Sequence, residues 1–150
     1  MRAINHALTG AVIGFSISDP VIALPVAFLS HFALDAIPHF GERKKDHGSK
    51  NFRDLLILDA LLCFGLVLLL AIWQPKHWLQ AVICAFLAAS PDFMWVGKYL
   101  RARAGQKEHP TKNLVMHFHS KIQWFERPIG LAVELTWVPA MVLLLVGLTR

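Results

Sequence analysis

The sequence predicts an all-α integral membrane bundle of about five membrane-embedded helices and one cytoplasmic interfacial helix. Three observations carry this. Hydrophobic residues make up 55% of the 150-residue chain, charged residues only 17%, and the mean hydropathy is +0.48, far more apolar than an ordinary soluble domain. Two runs, Leu55 to Trp73 and Pro128 to Leu148, each hold a single charged side chain, Asp59 and Glu134. Each run is about 20 residues, roughly 30 Å of helix and so matched to a bilayer core. The basic residues, finally, gather in blocks between the apolar runs rather than along one face, as loops on the positive side of a membrane do. That distribution turns the net charge of +5 away from nucleic acid and towards the bilayer.

The elements follow in order. Residues 3–17 read as a first helix, short for a full span, with Gly10 and Gly14 in a GxxxG and Ala3, Ala7 and Ala11 at spacing four. Such small residues favour close helix packing in lipid. Ser18-Asp19-Pro20 is a turn with proline at a helix start, and a second helix runs over 20–37. These two are expected to form a tight hairpin. A charged loop at 40–53 precedes a third helix over 54–73. Gln74-Pro75-Lys76 turns the chain into a fourth, from 77 or 78 to about 99, interrupted at Ser90-Pro91-Asp92. Residues 100–112 read as loop. In 113–126, Leu114, Phe118, Ile122 and Phe125 make an apolar stripe, the mark of a helix lying in the interface plane. A last helix covers 128–148. There is no internal repeat and no domain boundary, so 1–150 is expected to be one domain. Met1 to Leu8 is broken by Asn5-His6 and does not resemble a cleavable signal. Cys63 and Cys84 lie in apolar runs and read as small hydrophobes.

Lysine and arginine fix an expected orientation. Five lie in 40–53 and seven in 98–127, which with Arg2 puts 13 of 15 on one side, against Lys76 and Arg150. The N-terminus, the 40–53 loop and the 98–127 segment are therefore expected on the cytoplasmic side of a plasma (inner) membrane.

On that topology the polar residues inside apolar segments converge. His31 and Asp35 are four apart and share a helix face, and His39 follows one turn on, beyond Pro38, which should end the helix. His6 opens the first helix, Asp59 lies near the start of the third, and Asp92 lies near the end of the fourth. Ionised Asp in hydrocarbon costs at least about 2.5 kcal/mol unless paired or metal-bound. Imidazole nitrogen and carboxylate oxygen together are the ligands of zinc and related divalent metals. His6, His31, Asp35, His39, Asp92 and His119 are thus the candidate metal ligands, the metal being zinc by ligand type. His117 and His119 are two apart and cannot both reach one ion from a helix, so the choice between them stays open, with His119 favoured. Asp59 or Asp92 would accept a proton from metal-bound water, and Lys121 or the Arg43-Lys44-Lys45 cluster would hold an anionic headgroup. Each residue also has a plainer reading: Asp59 as a helix–helix hydrogen bonder, Asp92 as a helix cap, His31 and Asp35 as a buried pair. The role of Glu134 stays open.

The Ser30-His31-x-x-Leu34-Asp35 run, the leading His6-x-x-x-Gly10, and the Pro91-Asp92 and His119-Ser120 pairs resemble the YdjM-like, LexA-regulated, membrane-bound metal-dependent hydrolases. That resemblance implies metal-binding or catalytic roles for His6, His31, Asp35, Asp92 and His119. Met94 and Trp95 stand where that family has Asp and His, Leu114 stands where it has His, and the Ser-His-Asp element comes second in the chain rather than last. Separately, His31-x-x-x-Asp35…His39 is similar to the zinc helix of phospholipase C-type phosphoesterases. Together they imply metal-dependent hydrolysis of a phosphoester and leave the substrate open. A site recessed to the depth of the lipid headgroups points to a phospholipid or lipid phosphate, and the charge distribution to no nucleic-acid partner. Two other classes fit the composition: a metal-ion or proton-coupled transporter, and a non-catalytic membrane scaffold. Ionisable groups stop short of the far halves of the third and last helices, which argues against a transport path.

Overall fold

A computed structural model describes residues 1–41, 46–106 and 114–150. The Arg43-Lys44-Lys45 cluster and His109 lie outside the described residues. All regular structure there is helical: α1 (Ala3–Ser16), α2 (Pro20–Ala36), α3 (Lys50–Trp73), α4 (Trp78–Ala89), α5 (Phe93–Arg103), α6 (Leu114–Ile122) and α7 (Gly130–Leu148). Short 3-10 turns at Ser90–Asp92 and Gln123–Phe125 join α4 to α5 and follow α6.

Local chemistry sets most of the boundaries. Asp19 caps α2 by accepting from Val21 N at 2.9 Å, with Pro20 in the first turn where its missing N–H costs nothing. Pro38 stops α2 as expected, because the residue before a proline is pushed out of the helical region. The backbone of Ile37 is accordingly extended. α3 starts four residues earlier than the apolar run suggests. Ser49 Oγ accepts from Phe52 N at 3.1 Å, so the capped helix takes Lys50, Asn51 and Arg53 into its first turn. Pro91, with no N–H to give, marks the break between α4 and α5.

Among the described residues, three stretches are long and apolar enough to cross a membrane: Lys50–Trp73, Trp78–Arg103 and Gly130–Leu148. α1 has 14 residues and α2 has 17, about 21 and 26 Å at 1.5 Å per residue, short of a roughly 30 Å core. Of the five membrane-embedded helices expected, three stretches have spanning length. The apolar side chains face outward to an extent that would be untenable in water. Leu61 is 62% exposed, Leu143 72% and Ile72 74%, which is how a lipid-facing surface looks.

The interior is built from small residues. α1 sits at the centre, packed against α2, α3, α4 and α7, and its most extensive partner is α4. The hairpin expectation changes here: the GxxxG face of α1 meets α4 more than α2. A Cβ on Gly10 would lie 2.8 Å from Ala88 Cβ and still nearer the Cys84 carbonyl, and one on Gly14 would lie 2.5 Å from Ala81 Cα. Only glycine permits that approach. α2 reaches the same helix through Ala23 and Ala27 around buried Cys84. α1 and α2 thus share α4 as a common floor.

Candidate metal centre

Antiparallel connections bring the start of α1, the end of α2 and the α4–α5 break to one place. His6 lies one turn into α1, His31 and Asp35 lie in the last turns of α2, and Asp92 closes the 3-10 turn after α4. His119 arrives from α6. His6, His31 and Asp35 are fully buried, and Asp92 and His119 nearly so.

The donor atoms converge on a common point. Asp35 is the hub: Oδ1 lies 3.2 Å from His6 Nε2, and Oδ2 lies 3.3 Å from His31 Nε2 and 2.7 Å from His119 Nε2. His31 Nε2 and His119 Nε2 are 3.0 Å apart. Asp92 stands opposite, 3.9 Å from His6 Nε2, 4.0 Å from His31 Nε2 and 3.8 Å from His119 Nε2. Ligand atoms from His6, His31, Asp35 and Asp92 all lie within 4.8 Å of one another. Donors sharing one zinc at about 2.0–2.2 Å stand roughly 3–4 Å apart, and the distances of 3.2 to 4.0 Å from His6 and His31 to Asp35 and Asp92 fit a single ion.

The outer hydrogen bonds orient the rings. His31 Nδ1 lies 2.7 Å from the Ala88 carbonyl, which can only accept. In a neutral imidazole the proton therefore sits on Nδ1, and the Nε2 lone pair points at Asp35, Asp92 and His119. His119 Nδ1 faces Met94 Sδ at 2.8 Å, leaving its Nε2 on the centre as well. His6 stacks on His31 with ring centroids 3.9 Å apart, and neither of its nitrogens has a hydrogen-bond partner. Its Nε2 is near Asp35 but off hydrogen-bond geometry. Met1 N also reaches Asp35 Oδ1.

The remaining sequence candidates fall elsewhere. His39 is buried, with Nδ1 on the Ile37 carbonyl at 2.9 Å and Nε2 without a partner, but it does not join the converging group. Burial lowers its pKa below the ordinary value. Its backbone instead ties the end of α2 to the chain before α7, Arg127 N donating to the His39 carbonyl at 3.0 Å. Asp59 forms an ion pair with Arg2, whose Nε reaches both carboxylate oxygens at 3.0 and 3.1 Å. Lys121 and His117 are exposed. Asp92 makes no capping bond to α5; its Oδ1 accepts from Trp95 Nε1 at 3.0 Å. Glu134 accepts from Phe40 N at 3.1 Å and so supports the loop after α2.

No protein-family model matches this chain, and comparison with curated proteins and with solved structures gives no match. The site therefore rests on its own geometry.

Sequence reasoning missed Gln123, whose Nε2 lies 3.2 Å from Asp35 Oδ2 and 3.0 Å from His119 Nε2. The spacing of four from His119 was the available signal. It also missed Met94 behind His119 and Arg2 beside Asp59. A cleft of about 710 Å³ abuts the centre, with Asp92 and Gln123 in its wall together with Arg2 and Asp59. Its size is that of a small-ligand site, typically about 300–1,000 Å³.

Proposed function

We propose that this chain is a membrane-embedded, metal-dependent hydrolase whose site holds one divalent ion, zinc by ligand type, at the cytoplasmic headgroup level. The observation that carries the metal is the tautomer of His31. With Nδ1–H committed to the Ala88 carbonyl, the Nε2 lone pair faces carboxylate oxygens and a second imidazole nitrogen. Lone pairs facing one another in a dry interior repel; Met1 N and Gln123 Nε2 offset part of this at Asp35, and a shared cation would remove the rest. The donor set would be His6, His31, Asp35, Asp92 and His119.

When bound, such a metal supplies a water of lowered pKa and polarises a substrate oxygen. The chain's own residues do the rest. Met94 backs His119 at Nδ1, Gln123 donates to Asp35 Oδ2, and Trp95 fixes Asp92. Asp59, anchored by Arg2 in the wall of the same cleft, accepts a proton from water there. The hydrolase reading is supported by this donor set beside a ligand-sized cleft and by the motif resemblance. α1 and α2 are read as short membrane-embedded helices, which gives the five-helix arrangement, and α6 as the interfacial one.

Elemental analysis of detergent-purified protein tests the centre. About one equivalent of divalent metal per chain is expected, with well under half retained in Asp35→Asn, which keeps the shape but loses the anionic ligand. Hydrolysis of a soluble phosphodiester should fall with metal content. A mutant with full metal content removes Asp35 from the ligand set and overturns the metal-centre reading.

A further inference from the structure

The cleft beside the centre has two unlike ends. Along α3, Leu56, Ala60, Cys63 and Val67 form one stripe of its wall, at the spacing of a single helix face, with Ala85 and Phe86 of α4 opposite. From Leu56 to Val67 the stripe is about 17 Å long at 1.5 Å per residue. That is close to one leaflet's half of the roughly 30 Å hydrocarbon core. The other end is polar, with Arg2, Gln123 and the carboxylates Asp46, Asp59, Asp92 and Glu126 in its wall, so that a divalent ion at the centre would help Arg2 offset their charge. Arg2 bonds Asp59 through Nε, and its two Nη groups make no hydrogen bond to protein among the described residues. A guanidinium fixed by one edge presents the other as a fork for phosphoryl oxygens.

We infer that this cleft binds a phosphate-bearing lipid, with an acyl chain along the α3 stripe and the phosphoryl group between Arg2 and the Asp92 edge of the metal centre. α3 is one of the three helices of spanning length and its outer face is apolar. The groove between it and α4 therefore lies at the depth where acyl chains are the abundant occupants. The polar end places the phosphoester beside the donor cluster and leaves the tail untouched. The inference names the substrate class of the proposed hydrolase and rests on that reading, while lipid binding itself is measurable without metal.

The test compares three probes on the full-length protein in detergent, chelator-treated and metal-loaded: palmitoyl lysophosphatidic acid, monopalmitoylglycerol and glycerol 3-phosphate. The first should bind about tenfold more tightly than either of the others, in both metal states. Equal binding of monopalmitoylglycerol would overturn the role of Arg2, and equal binding of glycerol 3-phosphate would overturn the acyl groove. Ala60→Trp should weaken lysophosphatidic acid about tenfold at unchanged metal content. Cys63→Phe, which fills the same stripe, serves if the tryptophan variant fails to fold. Arg2→Gln with Asp59→Asn should lower lysophosphatidic acid to the level of monopalmitoylglycerol. Unchanged affinity in a folded variant of either kind overturns the corresponding half. Loss of lipid binding in protein that holds one metal per chain defeats the lipid inference alone, and lipid binding by protein that takes up no metal on loading defeats the metal centre alone.

Discussion

His119 and His117 show how a single residue's direction decides a role. They are two apart on α6, so they point to nearly opposite sides. The structure buries His119 against Asp35 and Met94 and leaves His117 exposed. His119→Gln should therefore lower metal affinity at least about tenfold, the loss that mutating even an outer-shell partner of a metal ligand brings. His117→Gln should leave affinity unchanged. Metal titration of the two purified variants is the measurement. Equal loss in both would place the centre elsewhere on α6. Asp35 differs in kind, since it touches three imidazoles at once and no packing residue could replace it.

At the scale of the helix, α1 is where the fold is most sensitive. Its contact with α4 is made through Gly10 and Gly14, where any side chain would meet backbone or Ala88. Overpacking a tight interface typically costs about 1–3 kcal/mol, and backbone here cannot yield as a side chain does. Gly10→Ile should lower the melting temperature of the purified protein by several degrees and reduce metal occupancy with it, because His6 rides on the same helix. Gly65 has nothing within 4 Å of an added Cβ, so Gly65→Ala is expected to leave both unchanged. An unaltered melting temperature in Gly10→Ile would dismiss the α1–α4 contact as the organising one.

For the molecule as a whole, the charge distribution carries the proposed orientation. With 13 of 15 Lys and Arg expected on one side, cysteines placed at Ser49 and Gln106 should resist a membrane-impermeant thiol reagent added outside intact cells. They should react once the membrane is opened. A cysteine at Lys76, at the other end of α3, is expected to label from outside. Ready labelling of Ser49→Cys from outside would reverse the topology and move the metal centre to the opposite face.

The sequence alone determined the all-helical class, because a backbone in lipid is satisfied within a helix or a closed barrel, and nearly uncharged runs of about 20 residues are twice the roughly 9–11 of a barrel strand. It determined most helix ends as well, since Asp19-Pro20 and Pro38 act through their immediate neighbours. The candidate donors were legible for a related reason. His and Asp in an apolar helix are conspicuous, and a spacing of four puts His31 and Asp35 on one face whatever the fold. The rest was not local. That α1 packs chiefly on α4 depends on which small faces fit together, and the hydropathy pattern does not record that. Asp59 looks like Asp35 in sequence, yet one faces Arg2 and the other faces three imidazoles. His39 is one turn beyond Asp35, but Pro38 ends the helix and turns its ring out of the cluster. Only the tertiary structure decided these, because the neighbour that pairs with each polar group comes from a distant part of the chain.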